Sequence, residues 1–74
     1  MLDIKSSSTK DLKIGDIVEI GYKNNLEVCE VTRVYKNVHK DGNWNWAMEL
    51  GCRGIEIYAN WSIEQQRWIC PENQ

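Results

Sequence analysis

The chain has 74 residues, with 9 basic and 11 acidic side chains and a net charge of -2. A chain of this length forms one domain and buries only about 60% of the surface that its unfolded form exposes, which leaves little apolar surface for a deep substrate cavity. The acidic balance argues against a protein that binds the phosphate backbone of nucleic acid, because such proteins usually carry a basic face.

The sequence contains no segment that approaches the roughly 20 apolar residues of a membrane span. The first eight residues lack the apolar core of a signal peptide. We therefore expect a cytoplasmic protein. The content of 7 Asn, 2 Ala and 1 Pro is typical of an AT-rich bacterial or phage genome, and a phage-encoded chain is expected in the host cytoplasm.

Residues 1–13 are predicted to form a flexible polar tail, because they are rich in Ser and Lys and show no apolar periodicity. The alternative is a short strand from Leu2 to Lys5 that is added to a sheet edge. Residues 14–74 are predicted to form the single folded domain.

Short segments with β-forming residues and turn residues between them fill most of this domain. In the second of these segments, Cys29 and Val31 share one face but Val34 is out of phase with both. We therefore predict a bulge near Thr32-Arg33 that lets the strand turn all three inward. The predicted strands cover residues 17–22, 27–36, 44–50, 54–59 and 67–70.

The last two strands are predicted to enclose a short helical turn. Residues 61–66 are too few for a standing helix and favour one 3₁₀ or α turn, with Ser62 as its cap. In the strand before this turn, alternation puts Glu56 and Tyr58 outward. The predicted core is Val18, Ile20, Val31, Trp46, Met48, Leu50, Ile55 and Ile57.

The segments Gly15-Asp16-Ile17-Val18 and Cys29-Glu30-Val31-Thr32-Arg33-Val34 resemble the first strands of Tudor-like and KOW-like barrels. The whole layout over residues 14–70 resembles an SH3-like barrel. The resemblance implies an all-β fold, a five-stranded SH3-like barrel with one short 3₁₀ or helical turn before the last strand. It implies architecture more than function, because such folds carry many functions.

Two functional resemblances follow from this layout. Tudor-like domains bind methylated side chains in an aromatic cage, and the rings near the matching loops are Tyr22, Trp44, Tyr58 and Trp61; alternatively, these rings fill the core or line an interface.

The segment 55–58, Ile-Glu-Ile-Tyr, is similar to the Val-Gln-Ile-Tyr strand of the type II dihydrofolate reductases. Glu56 replaces the glutamine that contacts cofactor and substrate in that family, and its carboxylate would repel an anionic dinucleotide.

The potential catalytic and metal-binding residues are few and dispersed. Cys29, Cys52 and Cys70 are widely spaced without a Cys-x-x-Cys pair, so we predict reduced, mostly buried thiols and not a zinc site shared with His39. No nucleophile elbow or glycine-rich phosphate loop is present. We therefore predict no enzymatic activity, no metal and no cofactor.

The aromatic residues are 4 Trp and 3 Tyr, with no Phe. Each ring carries a polar atom, which suits half-exposed positions at an interface. The candidates for a patch are Tyr35, Trp44, Tyr58, Trp61 and Trp68. We predict that Tyr58 and Trp61, supported by Glu56, Arg53 and Trp44, contact a partner protein or a second copy of the chain.

The sequence thus favours a small non-enzymatic protein-binding module, an adaptor or inhibitor of bacterial or phage origin that docks on a larger protein. The alternative is a KOW-like accessory protein that binds nucleic acid, since aromatic side chains can stack on bases. That alternative needs Arg33, Lys36, Lys40 and Arg53 to gather on one side of the barrel.

Overall fold

The computed structural model describes residues 3–71. These residues form one mixed sheet of six strands, in which each strand pairs with its neighbours in sequence. All pairs are antiparallel except the parallel pair of the first two strands. The strands are β1 (Ile4–Ser6), β2 (Ile17–Tyr22), β3 (Asn25–Val38), β4 (Trp44–Cys52), β5 (Ile55–Ser62) and β6 (Arg67–Ile69).

The fold is all-β, as predicted, and residues 3–71 contain no helix. Accordingly, no helix in this range has the length and apolarity to cross a membrane. The helical turn predicted over residues 61–66 is wrong, because β5 continues to Ser62 and residues 63–66 form a hydrogen-bonded turn. Ser62 does cap this turn: its Oγ accepts a hydrogen bond from the backbone N–H of Gln65 at 3.1 Å.

The sheet has six strands and not the predicted five, since β1 lies within the segment predicted to be a tail. This position agrees with the alternative of an added edge strand, although Leu2 lies outside the described residues. The same segment also packs on the core, where Leu12 is 5% exposed. Residues 72–74 of the predicted domain likewise lie outside the described range.

The strand pairing leaves the sheet open, with β1 and β6 at its two edges. The edges nevertheless meet just after β1. The backbone N–H of Trp68 donates to the Ser7 carbonyl at 2.8 Å, and the Trp68 indole N–H donates to the Thr9 carbonyl at 2.9 Å. The segment after β1 therefore closes over β6 and covers one end of the core.

The bulge predicted in the second strand is confirmed. Val31 lies opposite Leu50 and Val34 lies opposite Met48, and the register shifts between Val31 and Arg33. The extra residue is Thr32, whose Oγ1 donates to the Glu49 carbonyl at 3.1 Å. Because the bulge restores the phase, both valines face the same side of the sheet.

The core lies on this inner face. Of the eight predicted core residues, six are buried and Trp46 packs against them while partly exposed. The prediction that Ile55 belongs to the core is wrong, because Ile55 begins β5 directly after the turn and is 59% exposed. Trp61, which was predicted to contact a partner, and Trp68, which was a candidate for the exposed patch, are 3% and 2% exposed. They pair across β5 and β6, and their rings make an edge-to-face contact at 5.4 Å.

Candidate binding surface

The five residues predicted to form a binding patch do not lie together. Tyr58 and Glu56 are on the outer face of β5, opposite Glu49 and Gly51 of β4. Trp44 is on the other face of β4, in phase with Met48 and Leu50. Trp61 is buried, so the expectation of an exposed ring is wrong.

Arg53 lies in the β4–β5 turn, away from Trp44 at the opposite end of β4. Its guanidinium forms an ion pair with Glu27 at 2.9 Å. Residues 53 and 54 both have positive φ, 52° and 80°, which fits a two-residue hairpin turn with glycine in its second position. The charge of Arg53 is thus already compensated by a neighbouring side chain.

A second arginine, Arg33 on the outer face, has its charge compensated in the same way. Arg33 is 3.7 Å from the Glu49 carboxylate, and its guanidinium lies over the Tyr35 ring at 4.6 Å. Tyr58 pairs with Glu49 on the same face. Since Tyr58 and Trp44 are on opposite faces and Trp61 is buried, the four rings considered for an aromatic cage do not form one.

The most exposed aromatic surface is at the far end of the β3–β4 hairpin, which we call the tryptophan arm and define as residues 36–46. Here β3 and β4 continue past the core, with Lys36 opposite Trp46 and Val38 opposite Trp44. Trp44 is 48% exposed and Val38 is 65% exposed. Both belong to the inner face of the sheet, which is no longer covered at this end.

The arm is held in shape by contacts among its own side chains. The Trp44 and Trp46 rings meet edge to face at 5.3 Å. The Lys36 ammonium lies 4.5 Å from the Trp44 ring centre and 5.8 Å from that of Trp46. An ammonium over aromatic faces is attracted by their electron density, so Lys36 fixes both rings and places a positive charge beside them.

Asn45 ties the arm to the rest of the sheet. Its side-chain amide donates to the Trp61 carbonyl of β5, and its Oδ1 accepts from the Trp46 backbone N–H at 2.9 Å. Because Asn45 stands between Trp44 and Trp46, these bonds fix the backbone that carries both rings.

The tip of the arm is also ordered by hydrogen bonds. The Asp41 carboxylate accepts from the backbone N–H and the side-chain amide of Asn43, both at 3.0 Å. These bonds lower the pKa of Asp41. The backbone N–H of His39 donates to the Asn43 carbonyl at 2.7 Å. The Asp41-Gly42 dipeptide, a sequence signal for a hairpin turn, lies in this tip, with Gly42 at φ +87°.

An apolar pocket lies at the foot of the arm. It has a volume of about 210 Å³ and lies between the arm, the segment after β1 and the edge of β6. Trp46 is common to the pocket and to the ring pair with Trp44, so the pocket continues the exposed surface of the arm. Its lining residues are Lys10, Asp11, Leu12, Lys13, Val34, Trp46 and Trp68.

A wider and more polar cleft of about 800 Å³ lies between the β2–β3 turn and β6. Lys23, Asn24 and Gln65 line it together with Arg67, whose guanidinium donates to the Ser7 hydroxyl at 2.9 Å. Trp68 is the aromatic side chain in its lining and is itself buried. The cleft therefore offers polar contacts but no exposed aromatic anchor.

Two of the three cysteines, Cys29 and Cys52, are buried inside the sheet, while Cys70 follows β6 and is half-buried in the lining of the cleft. Continuing the β3–β4 register past Glu30 opposite Gly51 places Cys29 opposite Cys52. The pKa of Cys29 is raised to about 12, mainly by burial and secondly by a hydrogen bond with Cys52. Burial also raises the pKa of Cys70 to about 11. Residues 3–71 contain no group of His, Cys, Asp and Glu that could hold a metal ion.

These pKa values predict that the domain loses stability in alkali. Below the ordinary thiol pKa of 9.0 both states keep their protons, and the stability is fully present. As the pH rises from 9 toward the folded pKa values, the unfolded thiols ionise first, which favours unfolding progressively, with the larger contribution from the buried Cys29. Urea denaturation between pH 8 and 11 measures the decline. Cys29→Ala should decline less steeply; an equal slope contradicts the prediction.

Two residues of the arm, Val38 and Asn45, were not predicted from the sequence, and Lys36 was considered only as part of a basic face for nucleic acid. The Asp41-Gly42 pair is a signal for the hairpin but not for its register. A two-residue loop there would pair Trp44 with His39 and Trp46 with Asn37, whereas the observed loop is longer and pairs Trp44 with Val38 and Trp46 with Lys36. The bonds of Asn45 to β5 have no such signal. They depend on how far β5 extends.

Comparisons of the chain with protein-family models, with curated proteins and with solved structures give no match. No relative thus assigns a role to the arm, the pocket or the cleft. Their possible roles follow from their own chemistry.

Proposed function

We propose that the protein is a small non-enzymatic protein-binding module whose contact surface is the tryptophan arm. The observation that carries the proposal is Trp44, which is half exposed while its ring is fixed between Trp46 and Lys36. Tryptophan is among the side chains that most often dominate binding energy at interfaces. A ring already held in place loses little conformational freedom on binding.

We also infer that the scaffold is an SH3-like barrel and that the module acts as an adaptor or inhibitor on a larger protein. The consecutive strand order, the bulge in β3 and the bond from Trp68 to Ser7 across the sheet edges support the barrel. A rigid scaffold that presents a hairpin is a common way to position binding residues.

A second candidate function is binding of single-stranded nucleic acid, because Lys36 beside two tryptophans resembles a platform on which bases stack. The remaining charges favour the first candidate. Arg33 and Arg53 form ion pairs with Glu49 and Glu27 at other places on the surface, so the four basic residues do not gather. The chain as a whole is acidic.

Photo-crosslinking from position 44 tests the proposal. Trp44 is replaced by p-benzoylphenylalanine, and the protein is irradiated in the cells that naturally make it. The matched control carries the same residue in place of Tyr58, on the opposite face of the sheet. We expect protein adducts from position 44 that are absent from position 58.

Other crosslinked products from position 44 identify other kinds of partner. Adducts that nuclease removes select the nucleic-acid candidate, and adducts only with the protein itself select self-association. No adducts from position 44, or equal adducts from both positions, contradict a binding function of the arm.

A further inference from the structure

The pocket at the foot of the arm has the size of one large apolar side chain. A cavity of about 150 Å³ lined by apolar side chains is large enough to bind benzene, and this pocket has about 210 Å³. Leu12, Val34, Trp46 and Trp68 provide its apolar walls. It can therefore receive a Leu, Met or Phe side chain from outside.

The surroundings of the pocket are basic in an otherwise acidic protein. Lys10 and Lys13 line the pocket and Lys36 lies over the adjacent rings, against two acids: Asp11 in the lining and Asp16, whose carboxylate accepts from the Lys13 backbone N–H at 2.8 Å. The ion pairs of residues 3–71 join Arg33 with Glu49 and Arg53 with Glu27, so these lysines have no carboxylate partner within that range. Their charges are available to an acidic ligand.

We propose that the arm and the pocket together bind an extended acidic segment of a partner protein. One apolar side chain of the segment enters the pocket beside Trp46, and a second, two residues along, covers Trp44. In the extended segment, as in β4, side chains two residues apart lie on one face, about 7 Å from each other. Carboxylates two residues beyond the apolar pair share its face and lie toward Lys10, Lys13 and Lys36. This assignment rests on the proposed protein-binding function and adds the chemistry of the partner.

Three labelled heptapeptides separate the contributions of charge and apolar contact. The first is acetyl-Glu-Asp-Leu-Glu-Phe-Asp-Glu-amide, the second replaces its Leu and Phe by Ala, and the third replaces every acid by Lys. Fluorescence anisotropy measures their affinities at low and at physiological salt. We expect the first peptide to bind about tenfold or more tightly than either other peptide, and more weakly as salt rises.

Variants of the protein locate the site. The charge reversal K13E/K36E should weaken the acidic peptide about tenfold and strengthen the lysine peptide, since like charges across an interface repel and opposite charges attract. Trp44→Ala should weaken the acidic peptide, and Tyr58→Ala, on the other face, should leave it unchanged. Thermal melts confirm that each variant is folded.

The proposal is overturned if the acidic peptide binds no better than the other two, if the charge reversal has no effect, or if oligo-dT binds more tightly at physiological salt. Protein adducts from position 44 without acidic-peptide binding would leave the binding function standing and reject only this partner chemistry. If position 44 gives no protein adducts and the acidic peptide does not bind, both the binding function of the arm and its acidic partner are rejected.

Discussion

Trp68→Ala should destabilise the domain by about 3–5 kcal/mol, the usual range for removing a buried tryptophan. Trp68 is 2% exposed, meets Trp61 edge to face at 5.4 Å and bonds the Thr9 carbonyl through its indole N–H. It therefore joins β6, β5 and the segment after β1. A domain of this length has a free energy of unfolding of only about 4–11 kcal/mol, so the variant should lose a large share of its stability and be unfolded if the parent lies at the low end of this range. Urea denaturation followed by circular dichroism measures the loss.

Two variants separate the causes of this effect. Trp68→Phe keeps one aromatic ring but removes the bond to Thr9 and part of the ring volume, so it should cost less than Trp68→Ala: about 1 kcal/mol for the hydrogen bond, plus the cost of a small cavity. Trp44→Ala removes a half-exposed ring and its edge contact with Trp46, at a cost of about 1 kcal/mol. Equal losses for Trp68→Ala and Trp44→Ala would mean that Trp68 is not in the core.

The strand pattern and the bulge were predictable because they follow from local rules. A two-residue period leaves Val34 out of phase with Val31, and one extra residue is the smallest change that corrects it. Turn residues marked the hairpins in the same way, and Lys23 and Asn24 adopt the positive φ values, 49° and 67°, that such turns require.

The wrong assignment of Trp61 has a simple physical origin. The sequence interpretation ended the strand near Ala59 and put Trp61 in a helical turn, but β5 continues to Ser62. In a longer strand the alternation of Ile57 and Ala59 extends to Trp61 and turns its ring inward. An error of a few residues in a strand end therefore moved the largest side chain from the core to the surface. It also grouped Trp61 with Tyr58 in one expected contact surface, although the two rings lie on opposite faces of β5.

The pocket was not predictable, because it depends on contacts between distant parts of the chain. Leu12 belongs to a segment that reads as a polar tail, and a single apolar residue among charged neighbours carries no periodic signal. Its burial against Trp68 and Val34 results from tertiary packing. Trp44 was predicted as a contact residue, but its surroundings become visible only when β3, β4 and this segment are placed together.

Leu50→Ala should cost about 2–5 kcal/mol, while Ile55→Ala should change the free energy of unfolding by no more than about 0.5 kcal/mol. The sequence placed both residues in the core. In the structure, Leu50 is 0% exposed and lies between Val31 of β3 and Ile57 of β5, whereas Ile55 is 59% exposed.

The two substitutions remove aliphatic side chains of the same size, so burial is the main difference between them. The loss at Leu50 includes both the transfer of its side chain to water and the cavity left among rigid strands. Parallel urea titrations of the parent and both variants decide the matter. If Leu50→Ala unfolds at the same urea concentration as the parent, the inner face of β4 is wrongly assigned. Trp44 and Trp46, which are placed by the same alternation, would then lose their place on the arm.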